Sequence, residues 1–237
     1  FTDLKVNPIQ EKAISNLDPK QRVLVYEGAA ECHANLLEVL KNQGVELVYS
    51  EVTPIKEGHI PLFTRDTGVI IEDVFLLSSM RFPYRQVEVQ GALGHINNKN
   101  IFVTDLDYKI EGGDVMFLEK DFLLIGTGPR TNTRGIELLQ SIFSAKQFES
   151  FETKFHIDTA MGILGKNHLV ILPNLVPPEV LELLIERGYS FVEAETSEYD
   201  TGCTNVIAIN DRKVIAPAEN KVTNQRIRES GVEVIEV

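Results

Sequence analysis

Cysteine is nearly missing from this chain, with Cys32 and Cys203 the only two among 237 residues. Two thiols supply neither a disulfide framework nor a cysteine-rich metal site, so a reducing cytoplasm is the expected compartment. Long apolar runs are missing too. None approaches the roughly 18 residues that a membrane span requires, and no signal-peptide pattern is visible. Positive charge is scarce: 23 Lys and Arg face 35 Asp and Glu, for a formal net charge of -12. That balance argues against nucleic acid or an anionic membrane as partner and is compatible with a small cationic substrate. Low-complexity tracts and long Pro/Gly/Ser linkers are absent as well. With 43% apolar and 24% charged residues, the chain reads as one globular domain over residues 1–237.

What is present is a repeat. The stretch DTGVIIEDVFLLSSMRFPYRQVEV reads as strand, acidic turn, strand, then helix. GDVMFLEKDFLLIGTGPRTNTRGIELLQSIF reads the same way, turning at Glu119-Lys120-Asp121. TAMGILGKNHLVILPNLVPPEVLELLIERGYSFVEA turns at Gly165-Lys166-Asn167 and adds a closing strand. TNVIAINDRKVIAPAENKVTNQRIRESGVEVIEV completes a fourth copy, turning at Asn210-Asp211. A partial copy, RVLVYEGAAECHANLLEVLKNQGVELVYSE, predicts strand, helix (Leu36, Leu37, Leu40) and strand. The strand pairs are apolar enough to be buried on both faces. Units of about 45 residues that cannot bury their own faces must stack or close, and this number suits a closed, propeller-like ring.

Polar residues recur in phase with the repeat. Asp66, Glu111 and His156 are spaced by 45 and 45 (111 − 66 and 156 − 111), each just before its repeat's first strand. In a ring such positions converge at one end of the axis, which predicts one pocket for Asp66, Glu111, His156 and Asp158. The Gly112-Gly113 pair, out of place in a strand, predicts close approach of backbone to a ligand. His156 and Asp158, two apart, would point the same way on a strand. His33, His59, His95 and His168 lack the phase and read as surface or helix residues. Asp66, Glu111, His156 and Asp158 are also plausible metal ligands, a rival ranked behind.

Four motifs carry a resemblance: FTRD (63–66), EGGD (111–114), GTGPRTNTRG (126–135) and FHIDTA (155–160). In this order and spacing the chain resembles the guanidine-modifying pentein superfamily of arginine deiminases, dimethylarginine dimethylaminohydrolases and arginine–glycine amidinotransferases. The resemblance implies an α/β fold, a five-bladed α/β propeller of ββαβ modules with pseudo-fivefold symmetry. The modules would fall near 1–62, 63–108, 109–155, 156–200 and 201–237, with pieces missing at both termini. It also implies a cysteine-dependent hydrolase of a guanidino compound acting through a covalent thiouronium, with no cofactor and no metal.

The residue roles follow by position. Asp66 and Asp158 would cradle the guanidinium, a planar cation that carboxylates bind bidentately. His156 would be the general acid and then the base, and Glu111 would orient it. Phe63 is either core or an apolar wall over the guanidinium plane. Arg130 would grip a substrate carboxylate, Arg85 is a second candidate for that task, and Arg65 reads as structural. The family's nucleophile follows a segment like GVEVIEV, so the expected cysteine lies beyond Val237. Cys203, in TGCTN, is the fallback nucleophile and otherwise a small buried hydrophobe. An amidinotransferase and a non-catalytic binding module of the same fold are the alternatives. The expected partner is a small guanidino molecule, with no nucleic acid and no membrane; a homodimer stays open.

Overall fold

The computed structural model describes residues 19–49, 63–93, 100–103 and 107–237. The chain divides into two compact units, one of residues 1–64, 84–97 and 237, the other of residues 65–83 and 98–236.

The first unit contributes α1 (Pro19–Asn42) and α2 (Gln86–Leu93). Here one expectation fails. Arg22–Tyr26, read as a strand, is helical and continuous with the helix predicted around Leu36–Leu40, and no strand follows over residues 45–49. A lone apolar run becomes a strand only where a neighbouring strand takes up its backbone groups, and α1 has no such partner among the described residues. A helix satisfies those groups internally. His33 and Cys32 lie exposed on α1; His59 and His95 lie outside the described residues.

The second unit holds four three-stranded sheets. Their strands are β1 (Gly68–Ile71), β2 (Val74–Leu77) and β3 (Asn100–Val103); β4 (Val115–Glu119), β5 (Phe122–Thr127) and β6 (Gln147–Glu152); β7 (Met161–Gly165), β8 (His168–Ile171) and β9 (Ser190–Glu193); β10 (Ile207–Asn210), β11 (Lys213–Ala216) and β12 (Glu233–Glu236). In each sheet the first two strands form an antiparallel hairpin, and the third returns parallel to the second after a helix. The ββαβ reading therefore holds four times. The connecting helices are α2 and, within this unit, α3 (Thr133–Ile142), α4 (Pro178–Glu186) and α5 (Lys221–Glu229). The first strands of the second, third and fourth sheets shift register at the same place, before Glu119, Gly165 and Asn210.

Local chemistry starts each helix. Asn132 caps α3 by accepting the Gly135 amide at 2.8 Å. Pro178 opens α4, where its missing N–H is no loss. Glu198 takes the Val222 and Thr223 amides of α5 at 2.8 and 2.9 Å, a favourable place for a carboxylate.

No sheet buries itself. On β5, Leu123 and Ile125 enter one apolar cluster with Ile71 and Leu76 of the preceding repeat. Phe122 and Leu124 enter another with Met161, Leu169 and Ile171 of the following one. On β8, Leu169 and Ile171 face back, whereas Val170 faces forward to Val214, Ile227 and Val234. Strand alternation thus presents one face to each neighbour, which is why the middle strands carry apolar residues at successive positions.

The forward cluster of the third and fourth repeats also contains Cys203, 1% exposed beside Val206 and Val214. Burial pushes its thiol up to about 11. Cys203→Ser should lower the free energy of unfolding by about 1–3 kcal/mol, the usual result of placing a hydroxyl in an apolar site, as read by urea denaturation. In the native protein a thiol reagent should label exposed Cys32 at once and Cys203 only on unfolding. Equal labelling of both would contradict the core placement.

Candidate functional site

Three short 3₁₀ turns precede the first strands of three repeats and carry the polar residues. Asp66 lies in Thr64–Thr67, Glu111 flanks Gly112–Asp114, and His156 flanks Ile157–Thr159. A Cβ on Gly112 would collide with the Arg65 carbonyl and lie 2.5 Å from the Gly68 carbonyl. One on Gly113 would fall 2.5 Å from Asp66 Oδ1 and 2.7 Å from His156 Nδ1. The glycines admit the neighbouring turns, so what they approach is the protein's own backbone and side chains, where the sequence suggested a ligand.

His156 is the centre of the cluster. Its Nε2 lies 2.8 Å from Glu111 Oε2 and its Nδ1 lies 3.4 Å from Asp66 Oδ1. Only an imidazolium can donate at both nitrogens. Burial works against that charge, but the Glu111 hydrogen bond and the charges of Asp66 and Asp114 outweigh it, and the pKa is raised. Glu111 is wholly buried. Burial alone would raise its pKa; the His156 bond, the Arg81 amide on Oε1 at 2.7 Å and the Arg130 charge reverse the shift and lower it. Arg130 Nη1 reaches Glu111 Oε2 at 3.0 Å, with its guanidinium 5.3 Å from the Phe82 ring centre. The Glu111 amide donates to Thr131 Oγ1 at 3.1 Å.

Asp158 completes the group by a different route from the one expected. His156 and Asp158 do not alternate along a strand; Asp158 sits inside the 3₁₀ turn that His156 begins, and the turn brings both to the cluster. Burial pushes the Asp158 carboxyl up, against His156 and Arg65, while the Asp66 charge pushes it further. Asp66 and Asp158 thus form an acidic pair under mutual repulsion, which a bound cation would relieve. Arg65, read as structural, holds Nε 3.7 Å from Asp158 Oδ2 with half its side chain exposed.

Asp66, Glu111, Asp158, Arg130 and His156 all belong to the second unit. Phe63 and Arg85 belong to the first. There Arg85 is buried with its guanidinium forked onto Glu88, Nη2–Oε2 2.9 Å and Nε–Oε1 3.0 Å, and 5.7 Å from the Phe63 ring. His168 lies on β8, part-exposed between the Ser190 and Ser230 hydroxyls at 2.6 and 2.9 Å. Asp66, Glu111 and His156 offer ligand atoms within 4.8 Å of one another. A metal there would have to displace His156 from Glu111 Oε2 and sit against the Arg130 charge on the same oxygen, so the donor set suits an imidazolium better than a metal ion. Sequence reasoning missed the Arg81 amide and Thr131. The first is a backbone group with no side-chain signal, and the second lies inside the motif credited to Arg130.

Comparison with known proteins agrees with the geometry. A family model described as arginine deiminase matches residues 55–190. The uncharacterised protein YkgA of Bacillus subtilis is 31% identical over 218 residues, covering 88% of this chain and 73% of YkgA. An arginine deiminase of Bacillus thuringiensis is 28% identical over 262 residues, and this chain spans 64% of its length and aligns over 84% of its own. Among solved structures, the dimethylarginine dimethylaminohydrolase of Pseudomonas aeruginosa complexed with citrulline superposes with a TM-score of 0.73 at 22% identity, over 90% of this chain and 82% of that one. Sequence and fold lead to the same place: the chain belongs to the arginine deiminase family, within the guanidine-modifying pentein superfamily.

Proposed function

We propose that the protein is a cysteine-dependent hydrolase of a guanidino compound, arginine deiminase-like or dimethylarginine dimethylaminohydrolase-like. In this reading its four ββαβ repeats are four blades of a five-bladed α/β propeller. The observation that carries the reading is His156, held between Glu111 Oε2 at 2.8 Å and Asp66 Oδ1 at 3.4 Å inside a buried acidic cluster. Asp66 and Asp158 accept the N–H groups of the guanidinium, whose charge relieves their repulsion. A thiolate adds to the guanidinium carbon. The His156 imidazolium gives its proton to the leaving nitrogen, and ammonia or an amine departs to leave a thiouronium. Neutral His156 then takes a proton from water as that water adds to the same carbon, and the thiolate leaves to release a ureido product. Citrulline, bound in the Pseudomonas aeruginosa relative, is such a product.

Glu111 keeps the imidazole oriented and charged. Arg130 uses one of its five donors on Glu111, which leaves others for a substrate carboxylate. The step needs neither Phe63 nor Arg85. It also needs a thiolate that Cys203 does not supply, since Cys203 is packed in an apolar cluster with its thiol pushed up to about 11. The proposed nucleophile is a cysteine outside residues 1–237. An amidinotransferase differs only in using an amine where the hydrolase uses water. A purely binding role would leave the buried charges of Glu111, His156 and Asp158 without a use.

In the full-length protein, His156→Ala should lower ammonia or amine release from arginine-type substrates by about 100-fold or more while substrate binding stays measurable by calorimetry. Asp158→Ala should act chiefly on binding. Normal binding and turnover in Asp158→Ala would remove that residue from the cradle.

The ion pair also predicts a pH dependence. With its raised pKa, His156 stabilises the fold fully below its ordinary 6.5, and loses that contribution as pH rises through the higher folded value. With its lowered pKa, Glu111 stabilises it fully above the ordinary 4.5, and loses that as pH falls through the lower folded value. Both contributions are complete between 4.5 and 6.5. In urea melts, Glu111→Gln should therefore destabilise the protein most in that window and progressively less in alkali. A pH-independent difference would show that the pair is not ionised.

A further inference from the structure

We propose that Asp114 and Thr204 are positioning residues that clamp the turn carrying His156 and Asp158 from the repeats on either side. The inference rests on the catalytic reading of His156 and adds how its place is held.

The turn Ile157–Thr159 does not cap itself. Its N-cap residue, His156, has extended backbone (φ -95, ψ 159) and makes no side-chain cap. An uncapped first amide in a buried turn needs an acceptor from elsewhere. Asp114, at the end of the preceding repeat's turn, supplies it: Ile157 N donates to Asp114 Oδ1 at 3.2 Å. The opposite hold comes from the following repeat, where Thr204 Oγ1 donates to the Asp158 carbonyl at 3.0 Å. Between them Thr159 Oγ1 donates to the His156 carbonyl at 2.7 Å. Asp114, Thr159 and Thr204 are spaced by 45 and 45 (159 − 114 and 204 − 159), so the three hold the turn from one phase of the second, third and fourth repeats.

The neighbours leave room for both anchors. A Cβ on Gly126 would lie 2.7 Å from Asp114 Oδ1, and one on Gly162 would collide with the Thr204 carbonyl. Asp114 and Thr204 are each 1% exposed. Asp114 Oδ2 is buried without a hydrogen-bond partner. Burial raises the Asp114 pKa to about 7, opposed by the His156 charge, Thr131 and the Ile157 amide, while Glu111 adds to the rise. The charged groups around His156 in turn are Glu111, Asp66, Asp114 and Arg130.

The test uses the full-length protein without substrate, so it is independent of whether the catalytic reading succeeds in turnover assays. Amide exchange of Ile157 and the NMR titration of the His156 ring are followed in Asp114→Ala, Asp114→Asn and Thr204→Val. Asp114→Ala and Thr204→Val should each speed Ile157 exchange by about tenfold, the size of one lost hydrogen bond, while the Leu169 and Val170 amides of β8 keep their parent rates. The His156 midpoint should fall in Thr204→Val as the ring loses its place against Glu111 and Asp66; in Asp114→Ala the lost Asp114 charge lowers it directly. Asp114→Asn, which keeps a carbonyl acceptor, should restore most of the Ile157 protection. An unchanged His156 midpoint in Thr204→Val overturns the proposal. So does Ile157 exchange in Asp114→Asn as fast as in Asp114→Ala, or equal acceleration of the β8 amides. If Asp114→Ala does not fold, Ile157 exchange in Asp114→Asn is compared with the parent, where a tenfold acceleration overturns the proposal, and Thr204→Val decides by its Ile157 exchange and His156 midpoint.

Discussion

The bond between Glu111 Oε2 and His156 Nε2 sets the terms for everything around it. A carboxylate with no solvent exposure is strongly unfavourable alone, and it persists only because each oxygen is engaged. Oε1 takes the Arg81 amide, and Oε2 takes His156 and Arg130. The charge on His156 is in turn favoured by Glu111 and Asp66, which its two nitrogens face. Three turns from three repeats must therefore meet at ångström distances. That requirement explains the absence of side chains at Gly112 and Gly113, where a Cβ would displace a carbonyl, Asp66 or the imidazole.

The apolar architecture makes such a meeting possible. Each middle strand presents alternate residues to the repeat before and the repeat after, so neighbouring sheets are locked by clusters such as Leu123, Ile125 and Leu76 on one side, and Leu124, Leu169 and Met161 on the other. The loops preceding the first strands are carried along by that stacking. Carboxylates are concentrated where they meet, and nearby arginines are occupied by them: Arg130 by Glu111, Arg65 near Asp158. What remains is an acidic pair, Asp66 and Asp158, beside an acid of raised pKa. That arrangement suits a planar cation from which a nitrogen must be expelled.

Much of this was legible in the sequence, because a repeat displays itself in one dimension. The 45-residue spacing of Asp66, Glu111 and His156, the short apolar runs within VFLL, FLLIGT, HLVI and KVIA, and the helical spacing after each hairpin are local patterns. They determined the ββαβ unit, its four copies and the candidates for the site, since strand and helix periods need only near neighbours. The tertiary structure decided what depends on partners distant in the chain. Arg22–Tyr26 is helical because no strand pairs with it among the described residues. Asp158 reaches the cluster through a 3₁₀ turn whose first amide is held by Asp114, 43 residues earlier. Cys203 lies in the stretch that opens the fourth repeat, two residues past the in-phase Thr201, yet packs among valines. Arg130 reaches Glu111, and Gly113 makes room for His156, only because the repeats stack. A sequence states the phase of each residue within its own repeat; the distance between phases in different repeats is set by packing, and hydrogen bonds are decided by that distance.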